Sequence, residues 1–335
     1  MSKRILPLAL PLVVALAVLV LVPALLQASG SGYLFRVSIT AMIFAILAAS
    51  LNFITGVAGL LSLGHAAFYG IGAYAAALLA TQHGVPFLLT IPLAGVAAAI
   101  GGVLVALPTM RLVSIYFAVA TLGMGEIIHG TLLNWVDFTR GPMGIPAIPS
   151  FKVFGLDLSG NLGSYLVVAV VMLASLWVLH RLTHSYYGNA LRALREDDQC
   201  ADSMGIDVVR LKGEVFAIAC FFAGVAGALW AHTTGYISPN DFRFGESILV
   251  LAMIVVGGLG SLPGAVIGAV LLIVLPEALR PVGDVRMIVV GCVMFFSILL
   301  LPKGLFGEVS ALNLVRSSFG GGWKAGTARQ SIGWR

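Results

Sequence analysis

Few side chains in this chain could do chemistry, and they sit in unusual surroundings. Glu126 and His129 lie three residues apart in an apolar run, so on a helix they share a face. An ionisable group at membrane depth is a functional candidate by default, here as a proton relay. The competing reading, which we prefer, is a buried Glu–His pair that fixes packing and tolerates Glu126→Gln at a modest cost in stability. One Glu and one His do not make a metal site, because catalytic zinc takes three protein ligands. His65 directly follows Gly59-Leu60-Leu61-Ser62-Leu63-Gly64. It either lines a polar path or serves as a hydrogen-bonded histidine at a helix start. Cys200, Cys220 and Cys292 form no spaced motif, so neither a disulfide nor a metal is expected. Tyr69, Tyr74 and Tyr116 suit packing or an interface better than ligand contact. The sequence carries no Gly-x-Ser-x-Gly elbow and no His-Glu-x-x-His. Gly320-Gly321-Gly322-Trp323-Lys324 is Gly-rich and basic but lacks the Ser or Thr that completes a phosphate-binding loop. The expectation is no catalytic residue, no metal and no cofactor bound by this chain.

The elements that hold these residues are organised around residues 181–214. Eleven of the 33 charged residues fall there, between long apolar runs. Such an island must be a water-exposed loop. From Asn189 to Met204 it reads as one amphipathic helix, with Leu191, Leu194, Ala201 and Met204 on one face. Arg192 and Glu196 are spaced to pair on the other, beside Arg195 and Asp197. Gly205 supplies a left-handed stop, and Ile206 follows where the cap's apolar contact is expected. A short amphipathic helix at a membrane surface suits contact with another protein.

Composition agrees. Hydrophobic residues are 59% and charged residues 10%, with mean hydropathy +1.03; soluble domains carry roughly 25% charged residues. The 40 glycines fit closely packed membrane helices. Apolar runs at 5–26, 37–54, 66–80, 87–107, 115–135, 162–179, 215–230, 247–256, 265–279 and 285–301 predict an all-α, polytopic membrane bundle of about ten spans. The first run is too long for a signal peptide and is read as a span. Thirteen of the 19 Lys and Arg residues then fall on the side holding both termini and the charged loop, and six on the other. Positive residues favour the cytoplasm, so the termini and the loop are placed there. The net charge of +5 serves orientation and is no nucleic-acid signal. The membrane domain is taken as 1–307, and the basic Gly/Ser-rich residues 308–335 as a disordered cytoplasmic tail.

An internal echo marks a path. Gly59-Leu60-Leu61-Ser62-Leu63 recurs as Gly258-Leu259-Gly260-Ser261-Leu262. Each copy ends an apolar run and precedes a helix rich in small residues. The echo is either chance in a Gly/Leu-rich chain or a pair of broken or re-entrant helices near 56–66 and 255–265. Interruptions at matching places in two halves point to a translocation route. On that reading Gly59, Ser62, His65, Glu126, His129, Gly258 and Ser261 are the pathway candidates.

Four motifs in order extend the picture: Gly59 to Phe68, Gly188 to Asp197 running on to Met204-Gly205-Ile206, Gly257 to Ala265, and Pro302-Lys303-Gly304-Leu305-Phe306-Gly307. In these the chain resembles the LivM-type permease subunits of ABC importers for branched-chain amino acids. The resemblance covers nearly the whole chain except its ends. It implies a second, homologous permease, two cytoplasmic ATPases that bind the ATP and Mg, and a periplasmic binding protein, in the inner membrane and among lipid. It makes the helix at 189–205 the segment coupled to the ATPases, through Leu191, Arg192, Leu194, Arg195, Glu196, Asp197, Ala201, Met204 and Gly205. Asp197-Asp198 stand where the general coupling loop of ABC importers has alanines. Thr139-Arg140-Gly141 departs from the Thr-Gly-Gly the family leads one to expect, so urea or a short amide is the alternative substrate. A proton-coupled secondary transporter and an intramembrane enzyme are the rivals from other classes.

Overall fold

The computed structural model describes residues 22–28 and 32–280 apart from 111, 113, 154 and 155, together with Gly291, Cys292 and Phe295. Most of the first expected span, the tenth, the Pro302–Gly307 motif and the basic tail lie outside the described residues. Within them the chain is a bundle of helices. α1 is Val22–Ala28, α2 Gly32–Asn52, α3 His65–Gln82, α4 Phe87–Thr109 and α5 Ser114–Asn134. The short α6, Val136–Thr139, opens a loop containing a hairpin of two-residue strands, Lys152–Val153 paired with Leu156–Asp157. Then come α7 Asn161–Thr183, α8 Tyr186–Glu196, α9 Asp198–Ser203, α10 Val208–Thr234, α11 Phe244–Gly257 and α12 Leu262–Ala278. Among the described residues, five helical stretches are long and apolar enough to cross a bilayer, and α11 and α12 are shorter apolar helices.

Sequence explains where these helices end. α10 begins at Asp207, whose carboxylate accepts the Arg210 N–H at 3.0 Å, and stops at the left-handed Gly235. α12 begins at Ser261, whose hydroxyl accepts the Gly264 N–H at 3.2 Å, with Pro263 in its first turn. α4 starts just after Pro86 and carries Leu88, Leu93, Val96, Ile100, Leu104 and Leu107 on an exposed, wholly apolar face suited to hydrocarbon.

The core forms where small residues let backbones meet. α10 packs against α3 and α4 at once. A Cβ on Gly224 would come within 2.5 Å of the Ala98 Cβ and 2.7 Å of the Ala94 carbonyl oxygen, so only glycine allows α10 to lie this close to α4. On its other side Gly224 fills the space a Cβ on Gly72 of α3 would need. Aromatic rings fill the wider gaps, as where Phe216 stands edge-on to both Phe68 and Phe117. The result buries most of α2 and α10, at 83% and 78% of their apolar windows, and leaves α5 largely open at 22%.

The charged loop departs from expectation. It folds as two helices rather than one from Asn189 to Met204. Asp197 interrupts it in extended conformation (φ −161°), and its carboxylate accepts the N–H groups of Gln199 at 2.8 Å and Cys200 at 2.9 Å. The capping residue starts a new helix and so ends the old one. Those backbone bonds, from Cys200 and then Gln199, hold the Asp197 carboxyl below its ordinary range. The expected stop at Gly205 is present, in the left-handed region at φ 84°, with the Ile206 N–H bonded back to the Ala201 carbonyl at 3.2 Å.

Candidate functional site

Both copies of the echoed motif are breaks between helices. α2 loosens into a π-helical turn over Phe53–Val57, and the chain then runs without regular structure until His65. Gly59 lies in the left-handed region at φ 75°. The second break separates α11 from α12, with Gly258 at φ 119° and Gly260 at φ 83°. Conformations like these are open to glycine and strained for other residues, so the motif's glycines make the breaks possible.

The structure brings the two breaks together. The Gly260 N–H donates to the Asn52 side-chain oxygen at 2.9 Å. A Cβ on Gly56 would come within 2.9 Å of the Gly260 Cα, so the two backbones are in direct contact. Into this junction reaches Arg195, from the last turn of α8. Its Nη1 donates to the Gly56 carbonyl at 2.7 Å, a charge-assisted bond to an oxygen freed by the irregular helix end. Its stem covers the first break: a Cβ on Gly59 would stand 2.8 Å from the Arg195 Cγ. One side chain of the charged segment therefore binds the first interruption and lies beside the second, its Nη1 standing 3.5 Å from where a Cβ on Gly260 would be.

The remaining coupling candidates divide into two sets. Leu191, Leu194 and Ala201 are 0%, 2% and 3% exposed, buried in this chain's own core. The expected apolar ridge for an outside partner is thus already occupied, because α8 and α9 dock inward to shield it. Met204, the fourth member, points the other way and is 84% exposed. Arg192 bonds Asn189 at 3.1 Å instead of pairing with Glu196. Arg192, Glu196, Asp197 and Met204 form the outward surface together with Tyr186, whose exposure reaches 95%. Lys212 of α10, almost fully buried, makes an ion pair with Asp198 and so fixes α9 to the bundle.

The pathway candidates also separate. Ser62 and His65 are buried inside the chain. The His65 Nε2 shares a 2.8 Å hydrogen bond with the Ser50 hydroxyl, so His65 is a hydrogen-bonded residue at the start of α3. Ser261 caps α12. Glu126 and His129 do not form the preferred packing pair. Glu126 is exposed on the open face of α5, and no hydrogen bond joins it to His129, whose Nε2 is buried without a partner. The three-residue spacing gives a common side of the helix but lets one side chain turn in and the other out.

Sequence reasoning missed Asn52, Thr121 and Ser247. Asn52 had a signal, being the one amide in the apolar run 37–54. Thr121 and Ser247 accept the N–H groups of Leu63 at 3.1 Å and Ala66 at 2.9 Å, and so pin the end of the first break to α5 and α11. A lone hydroxyl in an apolar run gives no such hint, since most bond their own helix.

At the other end of the bundle, residues 136–160 and 231–246 join into one cap. Ile145 and Ile237 exchange backbone bonds of 2.9 and 3.2 Å, and the Ile148 N–H reaches the Gly235 carbonyl at 3.0 Å. His232 ties this cap to the helices, bonding the Pro149 carbonyl at 2.7 Å and the Thr90 hydroxyl at 2.9 Å.

A chain of membrane-length helices, broken twice, with the breaks wired to a charged surface helix, is built as a transport component. Residues 33–298 match the family model described as "Branched-chain amino acid transport system / permease component". The chain is 39% identical over 287 residues to the LivM permease protein of the high-affinity branched-chain amino acid transport system of Salmonella typhimurium, covering 79% of this chain and 68% of that one. It is 26% identical to the LivH permease protein of the same organism (79% and 91% covered) and 27% identical to BraD of Pseudomonas aeruginosa (79% and 92%). The chain therefore belongs to the family of branched-chain amino acid transport permeases, as a multi-pass membrane protein of the LivM type.

Proposed function

We propose that this chain forms half of the translocation path of an ABC importer for leucine, isoleucine and valine. The relatives named above are permeases of high-affinity branched-chain amino acid systems. The other half is a second, homologous permease. Two ATPases bind ATP and Mg on the cytoplasmic side, and a binding protein delivers substrate at the cap formed by residues 136–160 and 231–246. The protein lies in the inner membrane with about ten spans and both termini in the cytoplasm. Residues 1–307 form its membrane domain, followed by the basic tail.

The observation that carries the mechanism is the Arg195–Gly56 bond, because it links the charged segment to the first break at the point where that break meets Gly260 of the second. When the ATPases close on ATP, they move α8 through its exposed surface around Tyr186, Arg192 and Glu196. Arg195 then drags the Gly56–Gly260 junction, and access switches from the binding-protein side to the cytoplasm. The ATPases shift this equilibrium only as far as their contacts with α8 differ between its two states. The test is uptake of radiolabelled leucine, urea and acetamide by the complete complex in proteoliposomes. ATP-dependent leucine uptake that survives an uncoupler is the expected outcome. Preferential uptake of urea or acetamide would replace the substrate. Uptake abolished by the uncoupler despite supplied ATP would make the protein a proton-coupled transporter.

A further inference from the structure

Glu126 lies where a carboxylate is costly. It sits about 18 Å along α5 from Ser114, on a helix of about 31 Å, and so near the middle of a span. Its neighbours on the open face are Tyr116, Val119, Gly123 and Ile127, all suited to an apolar surrounding. Among the described residues no donor or cation meets it. A carboxyl placed there with no partner among the described residues faces a water-lined path or something that crosses it.

The surroundings of Glu126 form a shallow, open-mouthed recess. It is walled by Leu63 and Gly64 at the end of the first break, Leu122 on α5, Phe242, and Phe244 and Ser247 on α11. Hydrogen bonds hold these walls: Leu63 to Thr121, and Ala66 to Ser247. α5 lies against the break because residue 125 is glycine, whose Cβ would stand 3.1 Å from the Gly64 Cα. The donors at the start of α3 are largely spent, since the Ala67 N–H bonds the Gly64 carbonyl at 3.1 Å. The recess thus offers one carboxylate beside the Ser247 side chain and apolar residues, with room for a group about the size of a water molecule, which suits an ammonium head.

On the reading that the chain carries branched-chain amino acids, we propose that Glu126 receives the α-ammonium group of the substrate in transit, with Leu63, Leu122 and Phe244 beside its aliphatic side chain. The carboxylate also disfavours passage of anionic analogues lacking the amine.

The test uses the complete complex in proteoliposomes, with Leu122→Cys placed in a Cys200→Ser, Cys292→Ser background. Two methanethiosulfonate reagents of similar size are compared, one ending in an ammonium group and one in a sulfonate. The cationic reagent is expected to react at least tenfold faster, the preference to vanish with Glu126→Gln, and leucine with its binding protein and ATP to slow labelling. In the native-cysteine complex, Glu126→Gln is expected to cut maximal leucine uptake at least tenfold, with Glu126→Asp retaining part of it. Equal reagent rates, no labelling by either reagent, or normal uptake by Glu126→Gln would each overturn the proposal. So would failure of Glu126→Gln to assemble with the second permease, which would make the carboxylate a subunit contact. Wild-type uptake is measured in the same vesicles. If it is absent, the transport reading fails; if it is present without charge preference, only the Glu126 assignment does.

Discussion

Asn52 shows how much rests on single polar atoms at the junction. Its oxygen takes the Gly260 N–H, a backbone donor with no helix to serve. Asn52→Leu leaves that donor buried and unpaired, at a cost of about 1–3 kcal/mol. We expect a lower Tm of the purified permease and weakened transport, whereas Ser38→Ala, on the exposed side of the same helix, leaves the Tm nearly unchanged. Gly59→Ala is a sharper probe, since a side chain at φ 75° costs roughly 1 kcal/mol or more and also displaces the Arg195 stem. Uptake is expected to fall at normal membrane levels of the protein; normal uptake would remove Gly59 from the path. The helix breaks at Gly59 and Gly258 were legible because the motif repeats. The direction of Arg195 was not, because its charge groups it with the outward residues of the segment, whereas its Cα and Cβ already lie against Gly59.

At the scale of elements, the apolar runs predicted α2–α5, α7, α11 and α12 to within about five residues, because hydropathy and span length agree there, whereas α10 begins seven residues before its run, its first turns carrying Arg210, Lys212 and Glu214. The charged segment was misread as one helix because Asp197 is compatible with a helix interior by propensity, and only its capping geometry ends α8. Asp197→Ala should therefore fray α9. The sign of the pH effect follows from the lowered carboxyl. Its stabilising contribution is present above the ordinary Asp range and is lost as pH falls through the lower folded value. Hydrogen exchange of the 199–204 amides reads both effects, and equal protection in the variant would contradict the cap. The buried Leu194 changes how its variants are read, since Leu194→Asp places a charge in the core and so tests folding as much as coupling. Between helices, Gly224→Val drives a side chain into α4, and we expect severe loss of Tm and of assembled complex.

Across the described residues, closely packed helices surround one irregular junction. α10 locks α3 and α4 by backbone-close packing, His232 fastens the outer cap, and the two breaks leave irregular backbone where α2, α11 and α12 meet. Irregular backbone at membrane depth is tolerable when buried in protein or facing a watery path. Transport class was legible from composition, the echo and the four motifs together. The wiring was not, because contacts between residues 52, 56, 195 and 260 are set by packing and leave no periodic trace. The central claim is that Arg195 transmits the ATPase stroke to both breaks, and the ratio of leucine imported to ATP hydrolysed by the reconstituted complex tests it most directly. With Arg195→Gln, loss of a charge-assisted bond worth about 1.5–3 kcal/mol should lower that ratio roughly tenfold or more while ATP hydrolysis continues. Arg195→Lys, which keeps the charge but not the planar reach, should fall in between. An unchanged ratio in Arg195→Gln would contradict the account.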